Sequence, residues 1–236
     1  MTELSLPKEP SLRKVCVDLC SGLGGFSQAF VNHGWKVVTV DIEPKFNSTV
    51  VADITKIDWN EFKQTWLNGE SPDVLLASPP CERFSLACLQ WPKKNIKKSL
   101  EIVGACLEAI AILKPKRWLM ENPRARLRWF IGIPPQTIRY SDYDMTYRAE
   151  KVTDLWGNIP LPMVKQERRI KRKKMREHLK RLHSWEKIYP HDKGQRALIP
   201  LGVSNAVYES VERLLSEGSS REESSLEVAN QNIKEQ

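Results

Sequence analysis

The chain has 236 residues, 41% of them hydrophobic, enough for one α/β domain with an insertion and too few for two full domains. No apolar run approaches the eighteen or more residues of a membrane span, and the opening Met1-Thr2-Glu3-Leu4-Ser5-Leu6-Pro7-Lys8 lacks a signal peptide's apolar core, so the sequence reads as an intracellular, cytoplasmic protein. Five scattered cysteines have neither disulfide-framework nor metal-site spacing, which suits a reducing compartment. The formal charge of +8 is concentrated: Lys165 to Lys187 holds eleven Lys or Arg against Glu167, Glu177 and Glu186, and this one segment carries the whole excess. A run that dense is either a solvated face or the footprint of a nucleic-acid binder.

Residues 1–12 read as a loose leader, after which Lys14 to Leu19 is a strand. It runs into Cys20-Ser21-Gly22-Leu23-Gly24-Gly25, a turn whose glycines permit positive φ and let backbone N–H groups approach a ligand at the start of a helix. Trp35 to Val40 is a second strand ending in Asp41, about 20 residues on, where nucleoside-binding folds place an acid for ribose hydroxyls. Val50 to Thr55 offers a third strand tip with Asp53, and a helix follows over Trp59 to Leu67.

The short apolar run Val74 to Ala77 between prolines predicts a buried parallel strand opening into Ser78-Pro79-Pro80-Cys81-Glu82-Arg83-Phe84-Ser85. Prolines stiffen that loop, and a stiff loop at the carboxyl edge of an α/β sheet can aim a cysteine, although an isolated cysteine is more often a small buried hydrophobe. Ile96 to Leu113 repeats apolar residues at helical spacing, and Arg117 to Met120 predicts the next strand, ending in Glu121-Asn122-Pro123. Alternation of strand and helix to this point predicts a mostly parallel sheet with right-handed crossovers.

From Arg124 to Gln195 the alternation stops, and prolines mark loops and short strands. Gln166 to His183 predicts a helix whose narrow stripe of Ile170, Met175, Leu179 and Leu182 leaves a wide basic face with Arg168, Arg169, Lys171, Arg172, Lys173 and Lys174. A closing helix should end near Leu215, and the Ser/Glu-rich residues 216–236 should be disordered. The expected organisation is one domain over residues 13–215, with 124–195 as a small basic insertion.

These motifs, in this order, resemble the DNA cytosine-5 methyltransferases, over most of residues 14–127 and again over 196–215. Residues 18–25 are similar to the family's Asp-Leu-Phe-Ser-Gly-x-Gly-Gly, with Cys20 in place of an aromatic that would edge the adenine. The Cys81 loop is similar to its Pro-Cys loop, with Glu82 where Gln is usual, and Glu121-Asn122-Pro123 matches its Glu-Asn corner. The resemblance implies a Rossmann-like, S-adenosylmethionine-dependent methyltransferase fold with no metal. By the same resemblance Cys20, Ser21, Gly22, Leu23 and Gly24 cradle the cofactor, Asp41 holds its ribose, Ile42 packs on its adenine, and Asp53 with Ile54 meets the base's amino edge. Pro80, Leu100, Asn205 and Ala206 complete that pocket, and Ser85 lies on the DNA side.

The chemistry implied is addition of Cys81 to C6 of a cytosine flipped from duplex DNA, which turns C5 into an enamine carbon. Such a nucleophile calls for a lowered thiol pKa. Glu121 would hydrogen-bond or protonate N3, and Arg139, in Gln136-Thr137-Ile138-Arg139, would supply the first arginine of the family's Gln-x-Arg-x-Arg element. Two neighbouring activities share the scaffold: an RNA cytosine-5 methyltransferase, and a catalytically idle nucleic-acid-binding relative. Amino-methyltransferases with Ser-Pro-Pro-Tyr are set aside because an aromatic can stack on a base but cannot add to it, and Glu121-Asn122-Pro123 accompanies the cysteine here. The sequence is silent on the oligomeric state and the target site.

Overall fold

The computed structural model describes residues 13–84, 96–144, 151–163 and 198–234, with side chains to residue 218. A seven-stranded sheet runs in the order β3-β2-β1-β4-β5-β7-β6. Its strands are β1 (Val15–Leu19), β2 (Lys36–Asp41), β3 (Val50–Val51), β4 (Val74–Ala77), β5 (Arg117–Pro123), β6 (Gln136–Arg139) and β7 (Val152–Gly157). The first five are mutually parallel, whereas β7 runs antiparallel to both β5 and β6. The central strands β1 and β4 are buried along almost their whole length because helices cover both faces, and this explains their unbroken apolar sequence.

Among the described residues six α-helices accompany the sheet: α1 (Gln28–Asn32), α2 (Trp59–Leu67), α3 (Ile96–Leu113), α4 (Arg128–Ile131), α5 (Tyr140–Tyr143) and α6 (Leu201–Lys234). One core packs Val17, Val40, Leu75, Met120 and Trp156 against α2 and α3. The other packs Cys16, Leu76, Leu119, Ile138 and Leu155 against α1 and α6. Among the described residues no helix is long and apolar enough to cross a membrane.

Three expectations change. The third strand stops at Val51, because the Asp53 carboxylate accepts from the Thr55 backbone N–H at 3.1 Å and draws Ile54–Lys56 into a 3-10 turn. The residues after Arg124 rejoin the sheet as the antiparallel β6–β7 pair. The closing helix, expected to end near Leu215, runs from Leu201 to Lys234: no proline interrupts it, and Arg213 pairs with Glu217 one turn on. The basic face from Arg168 to Lys174 and Ser85 lie outside the described residues.

Candidate active site

The glycine turn, Asp41, Cys81 and Glu121 lie at the carboxyl ends of parallel strands. Leaving β1, the chain takes φ of 55° at Cys20, 52° at Gly22 and 73° at Gly24, and Gly24 N–H closes on Ser21 O at 2.8 Å. A Cβ added at Gly22 or Gly24 would meet nothing within 4 Å, so the tight turn leaves open space above it. Asp41, at the tip of β2, accepts from Gly22 N–H at 2.8 Å through Oδ2 and from Glu43 N–H at 2.9 Å through Oδ1. Each oxygen keeps a lone pair for a hydroxyl donor. Leu23 and Ile42 flank this acid with 46% and 59% of their surface exposed.

An acid ready to accept from hydroxyls, an open glycine turn and two uncovered aliphatic side chains fit a nucleoside such as that of S-adenosylmethionine. Cys20 does not contribute an edge to that space. Its thiol turns into the α3 face to share a hydrogen bond with Cys106, which together with burial pushes its pKa well up. Ile54 is buried in the same core, and the Asp53 carboxylate is engaged by the Thr55 N–H and hydroxyl, which hold its pKa down. Leu100 packs on the α3 side of the sheet, while half-buried Asn205 and buried Ala206 belong to α6 on the other side. Behind the turn, Asp18 is wholly buried, and burial raises its pKa to about 7 against the opposing hydrogen bond from Ser27.

Cys81 sits just past β4, where Pro80 is exposed and Phe84 N–H closes a turn on Cys81 O at 2.9 Å. The neighbouring β5 delivers Glu121 and Asn122, both buried. Asn122 Nδ2 donates to Pro79 O at 2.9 Å, so one hydrogen bond fixes the Glu-Asn corner to the proline loop that carries the cysteine. Glu121 Oε1 accepts from Tyr140 Oη at 2.7 Å and from Thr153 Oγ1, and Lys151 Nζ lies 3.8 Å away. The Lys151 ammonium also stands over the Tyr140 ring, 4.6 Å from its centroid.

The thiol does not follow the expectation of a lowered pKa. Burial in the loop, and then the negative charge of Glu121, push Cys81 up to about 11, with Lys151 pulling the other way. The loop continues into a turn over residues 82–84.

Arg139 is the second correction. Side chains alternate across a strand, so Ile138 and Tyr140 share the face of Glu121, whereas Thr137 and Arg139 take the opposite face. Thr137 there binds Arg128 and Asp154, and Arg139 is exposed. The polar groups at Glu121 are instead Tyr140, Thr153 and Lys151. Sequence reading missed all three, although the period of two from Gln136 would have selected Tyr140.

The family model for C-5 cytosine-specific DNA methylases matches residues 15–129. The probable DNA (cytosine-5)-methyltransferase of Frog virus 3 is 32% identical over 161 residues, covering 61% of this chain and 72% of that protein. Type II methyltransferase M.AplI of Arthrospira platensis is 29% identical over 128 residues, 53% of this chain but 36% of its own length. A prophage-encoded chain of E. coli, described as a candidate DNA modification methyltransferase, superposes with a TM-score of 0.48 at 18% identity, over 61% of this chain and 46% of that one. With nearly three quarters of the Frog virus 3 protein matched, and the family's motifs at the strand tips, this chain belongs to the C-5 cytosine-specific DNA methylases.

Proposed function

We propose that the protein methylates C5 of a cytosine flipped out of duplex DNA, with Cys81 as the transient nucleophile. The observation that carries this reading is the Asn122–Pro79 hydrogen bond, which locks the cysteine loop and the Glu121 corner into one rigid unit. The cofactor is S-adenosylmethionine, held at Asp41, Ile42, Leu23 and the Gly22–Gly24 turn; when bound it supplies an electrophilic methyl group to the C5 electron pair.

The chain's own residues prepare and release that electron pair. Cys81 Sγ gives up its proton to solvent and adds to C6, forming a C–S bond while the C5–C6 π pair becomes available at C5. Glu121 faces the ring's N3 edge and, taking up a proton as the base enters, donates it toward N3, where addition places negative charge. Tyr140 and Thr153 hold its Oε1, so its remaining oxygen is presented in a fixed direction. After C5 is alkylated, loss of the C5 proton to a base sends its electron pair back into the C5–C6 bond, and Cys81 leaves as thiolate. Burial of the loop favours the neutral thiol in the absence of a base.

Duplex DNA carrying 5-fluorocytosine tests the assignment, because fluorine does not leave as a proton does and the adduct persists. In the presence of cofactor, denaturing gels should show a protein–DNA adduct that maps to Cys81 by mass spectrometry. Cys81→Ser should abolish it and Cys88→Ser should preserve it; trapping by the Cys81→Ser variant would remove the nucleophile assignment.

A further inference from the structure

We propose that α4 and the segment around it form a DNA-contact ledge, in which Trp129 lies flat against bases or deoxyribose next to the flipped cytosine while Arg124 and Arg139 hold phosphates. This rests on the DNA-methyltransferase reading and adds a surface to it. Trp129, Phe130 and Ile133 expose 76%, 47% and 86% of their surface within five residues. Scattered exposed apolar side chains are ordinary, but three large ones grouped at a site mouth mark an interaction surface.

The ledge is continuous with the cysteine loop. Arg126 N–H donates to Phe84 O at 3.1 Å, Phe84 N–H donates to Cys81 O at 2.9 Å, and the Phe84 and Phe130 rings lie 6.3 Å apart. Arg128 is neutralised by buried Asp154 and also bonds Thr137, so it anchors α4 to the sheet and is not available to a ligand. Arg124 and Arg139 are both exposed, and among the described residues neither has an ion pair. Arg139 shares its strand face with Thr137, which places it on the same side of the sheet as α4.

Exposed aromatic rings between exposed arginines suit a polyanion with flat bases: stacking is tolerant of sequence, and the cations follow the phosphates. A second copy of the chain would instead bring like charges together. Such a ledge would grip the strand that flipping distorts.

The test is fluorescence anisotropy with a labelled mixed-sequence duplex at several salt concentrations, using the full chain. S-adenosylmethionine calorimetry serves as a check that each variant is intact. Trp129→Ala should weaken binding by roughly fivefold or more without changing the salt slope, and Trp129→Phe should retain most of the affinity. Arg124→Gln should weaken binding and lower the magnitude of the slope of log affinity against log salt by about 0.9.

If the wild type binds DNA and forms the Cys81 adduct while both variants bind equally well, the ledge is wrong and the enzyme reading stands. A wild type that neither binds nor forms the adduct removes the enzyme reading and the ledge with it. A wild-type dimer that Trp129→Ala with Ile133→Ser converts to monomer, at unchanged DNA affinity, would assign the face to self-association and overturn the inference.

Discussion

Lys151 Nζ lies 3.8 Å from Glu121 Oε1 with its side chain 18% exposed, which makes it a cation that Cys81 and Glu121 share. Two acidic groups in one buried site oppose each other: the carboxylate raises the cost of a thiolate, and the ammonium offsets part of that cost. The sign follows directly. Removing the cation raises the pKa of an acid, so less thiolate exists at any pH below the transition. Lys151→Met should therefore slow alkylation of Cys81 by iodoacetamide by roughly threefold or more at every pH from 7 to 10, all below the transition. Lys151→Arg should restore the wild-type profile, which a merely structural lysine would not require. Peptide mass spectrometry of Cys81 labelling against pH reads this out, and superimposable profiles for Met and wild type would show that Lys151 does not act on the sulfur.

The pairing of β6 with β7 decides which residues reach the site, and a fork of hydrogen bonds at that pair secures α4. Arg128 meets Asp154 through both Nε and Nη2, and Thr137 Oγ1 donates to Asp154 Oδ1 at 2.8 Å. Asp154 is fully buried and Arg128 is 23% exposed, so removing the arginine strands a carboxylate inside the protein. Arg128→Met should cost about 3 kcal/mol in urea unfolding, and Arg128→Lys should fall between because one ammonium cannot reproduce the fork. A loss below about 1 kcal/mol would mean that solvent already screens the pair. This region also marks where sequence reading fails. Val74 to Ala77 and Arg117 to Met120 are legible because strands covered on both faces are continuous apolar runs that end in turn residues. Gln136–Arg139 and Val152–Gly157 mix polar and apolar residues, and their assignment depends on a partner strand beyond a long loop. In a strand one residue is the difference between faces, and that is why Arg139, expected among the site residues, lies on the far face while Tyr140 meets Glu121. The cysteine, the Glu-Asn corner and the Asp41 tip were legible because each is fixed by a strand end.

The chain folds back on itself so that its last helix completes its first turn. Ser204 on α6 donates through Oγ to Phe26 O at 2.7 Å and accepts from Ala29 N–H at 2.9 Å, both buried. Gly25 permits this approach, since a Cβ there would stand 2.5 Å from Ile199 O. One turn further along α6, Tyr208 stacks on His33 with centroids 4.0 Å apart and meets Phe30 and Trp35 edge-on. Glu212 binds Lys14 at 2.5 Å and Trp35 Nε1 at 3.1 Å. Both Ser204 and Tyr208 therefore stabilise the same long-range contact, yet only Ser204 touches the backbone that follows the Gly22–Gly24 turn. Ser204→Ala leaves the Ala29 N–H without its acceptor and should cost about 1–3 kcal/mol. Tyr208→Ala, which removes a partly buried ring, should destabilise by a comparable amount. Cofactor affinity separates the two: under conditions where both variants are fully folded, calorimetry should show S-adenosylmethionine binding several-fold weaker for Ser204→Ala and unchanged for Tyr208→Ala. If both variants lose affinity equally, α6 supports the cofactor site only through global stability; if neither does, the glycine turn holds its shape without the helix that closes the fold.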